Sequence, residues 1–267
     1  MTSAAGGPMP EGDTAWRTAR LLHDTLAGRE LTVSDFRVPA FATLDLTGQT
    51  VDEAVSRGKH LLIRVGSHSI HTHLKMEGAW HVYGLDERWR RPAHTARVVL
   101  STPERQAVGF SLGITEVLDR QAEAEALAYL GPDLLGADWN LDEAVRRVTA
   151  DPSIPVFVAL HDQRNLAGFG NEYVNEICFL NGVLPTRPVG GLTDPRHLIS
   201  RGRTMILANR ERAIRTFTGI ARKGHNEWVF GRAGQPCRRC GTTILRGELG
   251  DAPTRMRNTF WCPSCQT

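Results

Sequence analysis

No apolar run in this chain approaches the roughly 18 residues that a membrane-spanning helix needs. Residues Met1 to Pro8 lack both the basic region and the apolar core of a secretory signal. The chain therefore reads as a cytoplasmic protein. Cysteine is scarce, with five in 267 residues, four of them after residue 236, and in that compartment disulfides are a poor reading of them. There is no internal repeat and no low-complexity tract. What remains is an ordinary globular composition, 41% hydrophobic and 23% charged, long enough for two small domains or one large one with an appendage.

The net charge of +3 conceals an asymmetry. Residues 1–186 hold 17 Lys/Arg against 24 Asp/Glu, and residues 187–267 hold 15 against 5, a balance of −7 followed by +10. Basic residues gathered at one end are the electrostatic footprint of a nucleic-acid partner, although a solvated basic tail has the same composition. Arginine supplies 14 of those 15 cations, and its planar fork matches phosphate oxygens.

Asp13 or Thr14 can cap a first helix, in which Trp16, Ala19, Leu22 and Leu26 recur at helical spacing and Gly28 marks the stop. Short strands are expected at Leu31–Phe36, His60–Val65, Ser69–Leu74, Ala79–Tyr83, Arg97–Ser101 and Ile114–Leu118, a spacing that suggests an antiparallel β-sandwich. Leu130-Gly131-Pro132-Asp133 reads as a boundary. Helices are then expected from Leu141, over Val156–Asp162 and Glu172–Asn181, and over about 195–220. From Phe230 the chain reads as a separate small unit.

In that unit, Cys237-Arg238-Arg239-Cys240 and Cys262-Pro263-Ser264-Cys265 form two C-x-x-C pairs, the pattern of a closed tetrahedral site for one structural Zn²⁺. Four thiolates leave no open position for water or substrate, so such an ion builds a fold and does not catalyse. The unit is too small and too poor in apolar residues to fold without it. Cys178 reads as a buried thiol beside Ile177 and Phe179. His71 and His73, two apart on one strand face, read as structural or polar lining rather than as a second metal site.

The run Met9-Pro10-Glu11-Gly12-Asp13 carries the most specific chemistry. A proline at a chain terminus presents a secondary amine, and Glu11 beside it can move protons. That chemistry requires Met9 to be the start and to be removed. With the first eight residues retained, the Pro10 nitrogen is an amide. Residues 1–8 are accordingly read as a leader or a mis-assigned start.

Taken in order, Met9–Asp13, Gly58-Lys59-His60-Leu61-Leu62, Leu166-Ala167-Gly168-Phe169-Gly170-Asn171-Glu172-Tyr173 and Arg257-Asn258-Thr259-Phe260-Trp261-Cys262-Pro263-Ser264-Cys265-Gln266 resemble the formamidopyrimidine-DNA glycosylase/endonuclease VIII family from residue 9 to the end. The resemblance implies an α+β multidomain protein: an N-terminal helix with an antiparallel β-sandwich (9–130), a helix–two-turn–helix domain (131–229) and a Cys₄ zinc finger (230–267). It implies a bifunctional glycosylase/lyase that needs no organic cofactor. Pro10 would attack C1′ of a damaged nucleotide and leave an iminium, Glu11 would shuttle protons, and β,δ-elimination would cut the strand.

Lys59, Asn171 and Arg257 match the family's phosphate-contacting positions, with the Asn171 side chain capping its helix so that the helix amides face outward. Met76 matches the residue wedged between base steps. The partner is damaged double- or single-stranded DNA, with no membrane, and the protein is expected to be a nucleoid-associated monomer.

Three departures from the formamidopyrimidine branch direct the reading toward the endonuclease VIII-like branch and oxidised pyrimidines. Asp13 and Thr14 replace a second Pro-Glu, no void-filling Arg and Phe stand near Gln106–Phe110, and Arg215 to Cys237 is too short for a long lid. The alternatives are a purine-directed glycosylase, a silent lesion-binding protein with a blocked Pro10, and a zinc-ribbon module bound to RNA or a transcription complex.

Overall fold

A computed structural model describes residues 9–267, and the expected leader, residues 1–8, lies outside the described residues. The chain divides into two compact units, one ending at Tyr129 and the other spanning Leu130–Thr267.

Helix α1 (Gly12–Leu26) opens the first unit. It begins ahead of the expected caps: Glu11 holds the N-cap position with extended backbone, and no side chain caps the helix. Asp13 instead lies in the first turn, accepting the Thr14 amide at 2.8 Å. Ala15, Ala19, Leu22 and Leu26 make its buried stripe, while Trp16 is half-exposed. Leu22 and Leu26 are fully buried, each contributing about 2 kcal/mol through lost apolar hydration. The helix is thus a fixed pedestal for Pro10 and Glu11.

Eight strands follow: β1 (Val33–Phe36), β2 (Val51–Arg57), β3 (His60–Val65), β4 (His68–His73), β5 (Ala79–Gly84), β6 (Ala96–Ser101), β7 (Arg105–Phe110) and β8 (Ile114–Asp119). They form two four-stranded sheets, ordered β1-β6-β7-β5 and β2-β3-β4-β8, with antiparallel pairing throughout. Phe36, Val98, Leu100 and Trp80 of one sheet meet Leu61, Ile63, Val65 and Ile70 of the other, together with the buried stripe of α1. The alternation along β3 and β4 leaves His60, Leu62, His71 and His73 on the opposite face. Short helix α2 (Glu123–Ala126) ends the unit, its Glu123 paired with Arg64 of β3.

The second unit contains α3 (Leu141–Val148), α4 (Val156–His161), α5 (Asn171–Leu180) and α6 (Pro195–Asn209) around one apolar cluster. Side chains cap two of them: Asn140 accepts from the Glu143 amide at 3.0 Å, and Asp194 accepts from the His197 amide at 2.8 Å, with Pro195 opening α6. Helix α6 stops at Asn209, short of the expected 220. There the Asn209 carboxamide pairs with both the N–H and the C=O of Thr216, at 3.0 Å each, and bends the chain back. This lets Arg215 turn inward to a buried ion pair with Glu172 at 2.6 Å.

Hairpin β9 (Leu245–Leu249) and β10 (Arg257–Trp261) completes the chain, with Arg257 opposite Leu249. Its apolar base joins Phe179 of α5, so the cysteine-bearing segment and the helices are one compact unit. Buried Glu176 of α5 accepts the amides of Trp228, Val229 and Phe230 at 2.8–2.9 Å. Burial pushes its carboxyl up to about 7 against the pull of those three donors.

Candidate active site and nucleic-acid interface

Within the first unit, topology collects the predicted residues at one end of a sheet. Helix α1 runs antiparallel to β2: the Gly28 amide donates to the Val51 carbonyl at 2.8 Å, and His23 lies opposite Ala54. The other end of α1, with Pro10 and Glu11, therefore points toward the turn that follows Arg57. That turn is Gly58-Lys59, since Arg57 pairs with His60. Gly58 takes φ +58°, the left-handed value that the first position of this two-residue hairpin demands. Because His73 pairs with His60, the Leu74–Gly78 turn leaves from the same end. Met76 stands there, 68% exposed. Glu11 is only 1% exposed, and Pro10 is half-buried.

Two side chains hold that second turn: His73, expected as polar lining, and Arg91, which sequence reasoning passed over. The Lys75 amide donates to His73 Nδ1 at 2.9 Å, and Arg91 donates to the Glu77 carbonyl at 2.7 Å. By contrast, Gln106–Phe110 lie within β7, with Ala107, Val108 and Phe110 fully buried.

Behind the turns runs a chain of hydrogen bonds. Tyr129 Oη meets His60 Nε2 at 2.9 Å, His60 Nδ1 meets His71 Nε2 at 2.8 Å, and His71 Nδ1 meets Glu116 at 3.1 Å. Burial, then the neighbouring His71, Lys75 and Lys59, lower His60 to about 4. His73 falls to about 3 through burial and the same cationic surroundings. Both histidines bind protons more weakly folded than unfolded. Stability present above the ordinary histidine value of 6.5 is therefore lost as the pH falls toward 4. Thermal unfolding followed from pH 7 to pH 4 should show a steady decline in midpoint, and His60→Phe should flatten it. An equal slope in that variant would remove His60 as the source.

In the second unit, Asn171 opens α5 but does not cap it. Gly170 holds the N-cap position, and Asn171 Oδ1 accepts instead from Asn175 at 3.2 Å. The physical reason is positional: Asn171 is already helical, so its side chain points away from the first-turn amides. The preceding turn is braced by Gln163, whose Oε1 accepts the Gly168 amide at 3.1 Å while Nε2 donates to the Phe169 carbonyl at 2.8 Å. Gly168, at φ +117°, adopts a conformation closed to other residues. Arg257 is exposed at the start of β10, the strand that packs on α5.

The Sγ atoms of Cys237, Cys240, Cys262 and Cys265 lie within 4.8 Å of one another and can hold a metal ion. Burial pushes Cys265 up to about 12, and hydrogen bonds from Thr242 draw Cys240 down to about 6. A cation among four sulfurs this close would hold them as thiolates. Cys178 is fully buried and pushed up to about 12, so it is an inert thiol. Among the described residues no helix is long and apolar enough to cross a membrane.

The family profile described as Formamidopyrimidine-DNA glycosylase N-terminal domain matches residues 9–111. The chain is 53% identical to the DNA-(apurinic or apyrimidinic site) lyase Nei2 of Mycolicibacterium smegmatis, over 97% of this chain and 99% of that protein. It is 50% identical to Endonuclease 8 2 of Mycobacterium tuberculosis, over 97% and 100%. The fold superposes with a TM-score of 0.79 on the Lactococcus lactis formamidopyrimidine-DNA glycosylase bound to DNA containing an abasic site, at 21% identity and covering 96% of this chain and 99% of that one. On its sequence along nearly its whole length, and on its fold, this chain belongs to the formamidopyrimidine-DNA glycosylase/endonuclease VIII family.

Proposed function

We propose that this protein is a bifunctional DNA glycosylase and abasic-site lyase that removes oxidised pyrimidines. The observation that supports this most is the gathering of Pro10, Glu11, the Lys59 turn and the Met76 turn at one end of one sheet. Pro10, once terminal, attacks C1′ as a secondary amine. The bond from C1′ to the base breaks, and the resulting iminium is a permanent cation that draws electrons through the later steps. A terminal amine titrates near neutrality, so a useful fraction is unprotonated. Glu11 donates a proton to the opening sugar ring and then accepts one. Elimination at the β and then the δ position cuts the strand on both sides of the lost nucleoside.

Lys59 holds a phosphate next to the lesion, Met76 fills the space left by the extruded nucleotide, and Asn171 and Arg257 hold the backbone. In this reading residues 9–130 are the catalytic sandwich, 131–229 the helix–two-turn–helix domain and 230–267 a zinc finger. A tetrahedral zinc with bonds of about 2.3 Å sets its sulfurs about 3.8 Å apart. The Cys240–Cys262 and Cys237–Cys265 separations of 3.4 and 4.0 Å bracket that value. Zinc would supply fold rather than chemistry. The protein acts as a monomer on damaged DNA in the cytoplasm.

Two features favour pyrimidine lesions. Residues Gln106–Phe110 are committed to β7, and the stretch after Arg215 closes on itself through Phe217 N–H to the Asn226 carbonyl at 2.7 Å, leaving no long lid. Single-turnover cleavage of duplexes carrying thymine glycol, 5-hydroxyuracil or 8-oxoguanine tests this. Pyrimidine release should be faster by about 10-fold or more, as expected when a site cannot pair the buried polar groups of the wrong base. Faster release of 8-oxoguanine would reverse the assignment.

A further inference from the structure

Asn175 lies one helical turn after Asn171 on α5 and has no solvent exposure. A buried carboxamide is costly unless both of its ends are paired. Its Nδ2 donates to the Asn171 carbonyl at 2.7 Å, lies 3.2 Å from Asn171 Oδ1, and is 3.4 Å from the Asn258 carbonyl. Its Oδ1 accepts the Phe260 amide at 2.6 Å. A C=O and an N–H two residues apart point to the same side of a strand, so this one side chain pairs with β10 as a neighbouring peptide group would. It thereby occupies the edge of β10 that β9 does not use. The same amide nitrogen reaches the side chain of Asn171 at one end, and at the other the backbone next to Arg257.

We infer that Asn175 is a positioning residue that sets Asn171 and Arg257 in one register, so that helix α5 and the finger hairpin grip the DNA backbone as a single clamp. The inference rests on the reading of those two residues as phosphate contacts. The neighbouring Glu176 anchors residues 228–230 and fixes the approach to the finger. Of these two neighbours, Asn175 is the one that hydrogen-bonds to the strand that carries Arg257. Asn258 contributes from the other side, its Oδ1 accepting from Arg246 at 3.0 Å and tying β9 to the same point. With Asn175 replaced by leucine, the Asn258 carbonyl and the Phe260 amide lose their partner, and β10 is free to slide on α5. Arg257 then no longer meets the phosphate that Asn171 orients toward it.

The test uses the full zinc-loaded chain and a duplex with a tetrahydrofuran abasic analogue, with Kd measured across a salt series. Arg257→Ala alone should flatten the slope of log Kd against log salt by about 0.9, the signature of one lost phosphate cation. Asn175→Leu should weaken binding by about tenfold and flatten the slope by a similar amount, and adding Arg257→Ala to it should then cost less than about twofold. A variant that merely unfolds in part loses active protein but keeps the slope. Bound zinc per chain identifies folded protein. If the leucine variant loses metal, Asn175→Ser carries the same comparison.

An unchanged slope in Asn175→Leu, or an Arg257→Ala cost that is the same in both backgrounds, overturns the inference while leaving the phosphate reading intact. An Arg257→Ala protein with wild-type affinity and slope overturns the phosphate reading itself, and the inference with it.

Discussion

Glu11→Gln should lower the single-turnover rate of thymine glycol excision by about 10²–10⁴-fold, the usual worth of a positioned proton donor. Glutamine keeps the shape of a side chain that is only 1% exposed, so the first turn of α1 should persist and duplex binding should survive. What glutamine cannot do is release a proton to the sugar ring and recover one from it. Pro10→Gly should be milder, because a terminal glycine still presents an amine, though a primary one. Its iminium can lose a proton and so is a weaker electron sink. Gel-based single-turnover assays at saturating enzyme separate these outcomes from binding. Wild-type excision by the glutamine protein would remove Glu11 from its role.

Stripping the proposed zinc should have the second large effect. Structural zinc contributes on the order of 10 kcal/mol to small cysteine-held units. Cys262 is fully buried and Cys237 nearly so, and without a cation among them the four sulfurs have nothing to gather around. The apolar support is Val229, Ile244 and Phe260 with Phe179 of α5, flanked by half-buried Trp228 and Phe230, and Arg239 lies 4.4 Å over the Phe179 ring; none of it replaces the bonds that tie the two C-x-x-C turns to one ion. Chelation, or Cys262→Ser, should therefore melt β9 and β10, and trypsin should cut at Arg246, Arg255 and Arg257 much faster. Affinity for abasic duplex should fall by about 10²-fold or more as the finger contact is lost. Proteolysis and affinity that are both indifferent to chelation would exclude a structural metal.

The sequence announced some of this architecture more loudly than the rest. Helix α1 and strands β1, β3 to β6 and β8 follow from apolar periodicity and from Gly and Pro turns. Strand β2 was silent because only Val51 and Ala54 are buried and a bulge between Val51 and Glu53 breaks its alternation. Strand β7 was silent for a different reason: Gly109 supplies no side chain, and a Cβ there would sit 3.1 Å from the Trp80 ring. The chemical residues stood out as motifs, whereas their supports did not. Asn175 and Gln163 act through partners far away in sequence or through backbone groups, which spacing does not reveal. The His60–His73 pairing was within reach, since Gly66-Ser67 is a two-residue turn and counting outward from it sets the register. The cap assigned to Asn171 failed because a polar residue near a helix start can stand at the first helical position as readily as at the cap.

The proposed chemistry depends above all on Pro10 as the nucleophile. Native protein should be incubated with abasic-site duplex and borohydride, and the trapped complex digested and mapped by mass. One covalent adduct is expected, on the nitrogen of a Pro10 that has become the first residue, formed with near-stoichiometric yield. No adduct, an adduct on Lys59 or Lys75, or a mature chain in which Pro10 still follows Met9 would contradict it.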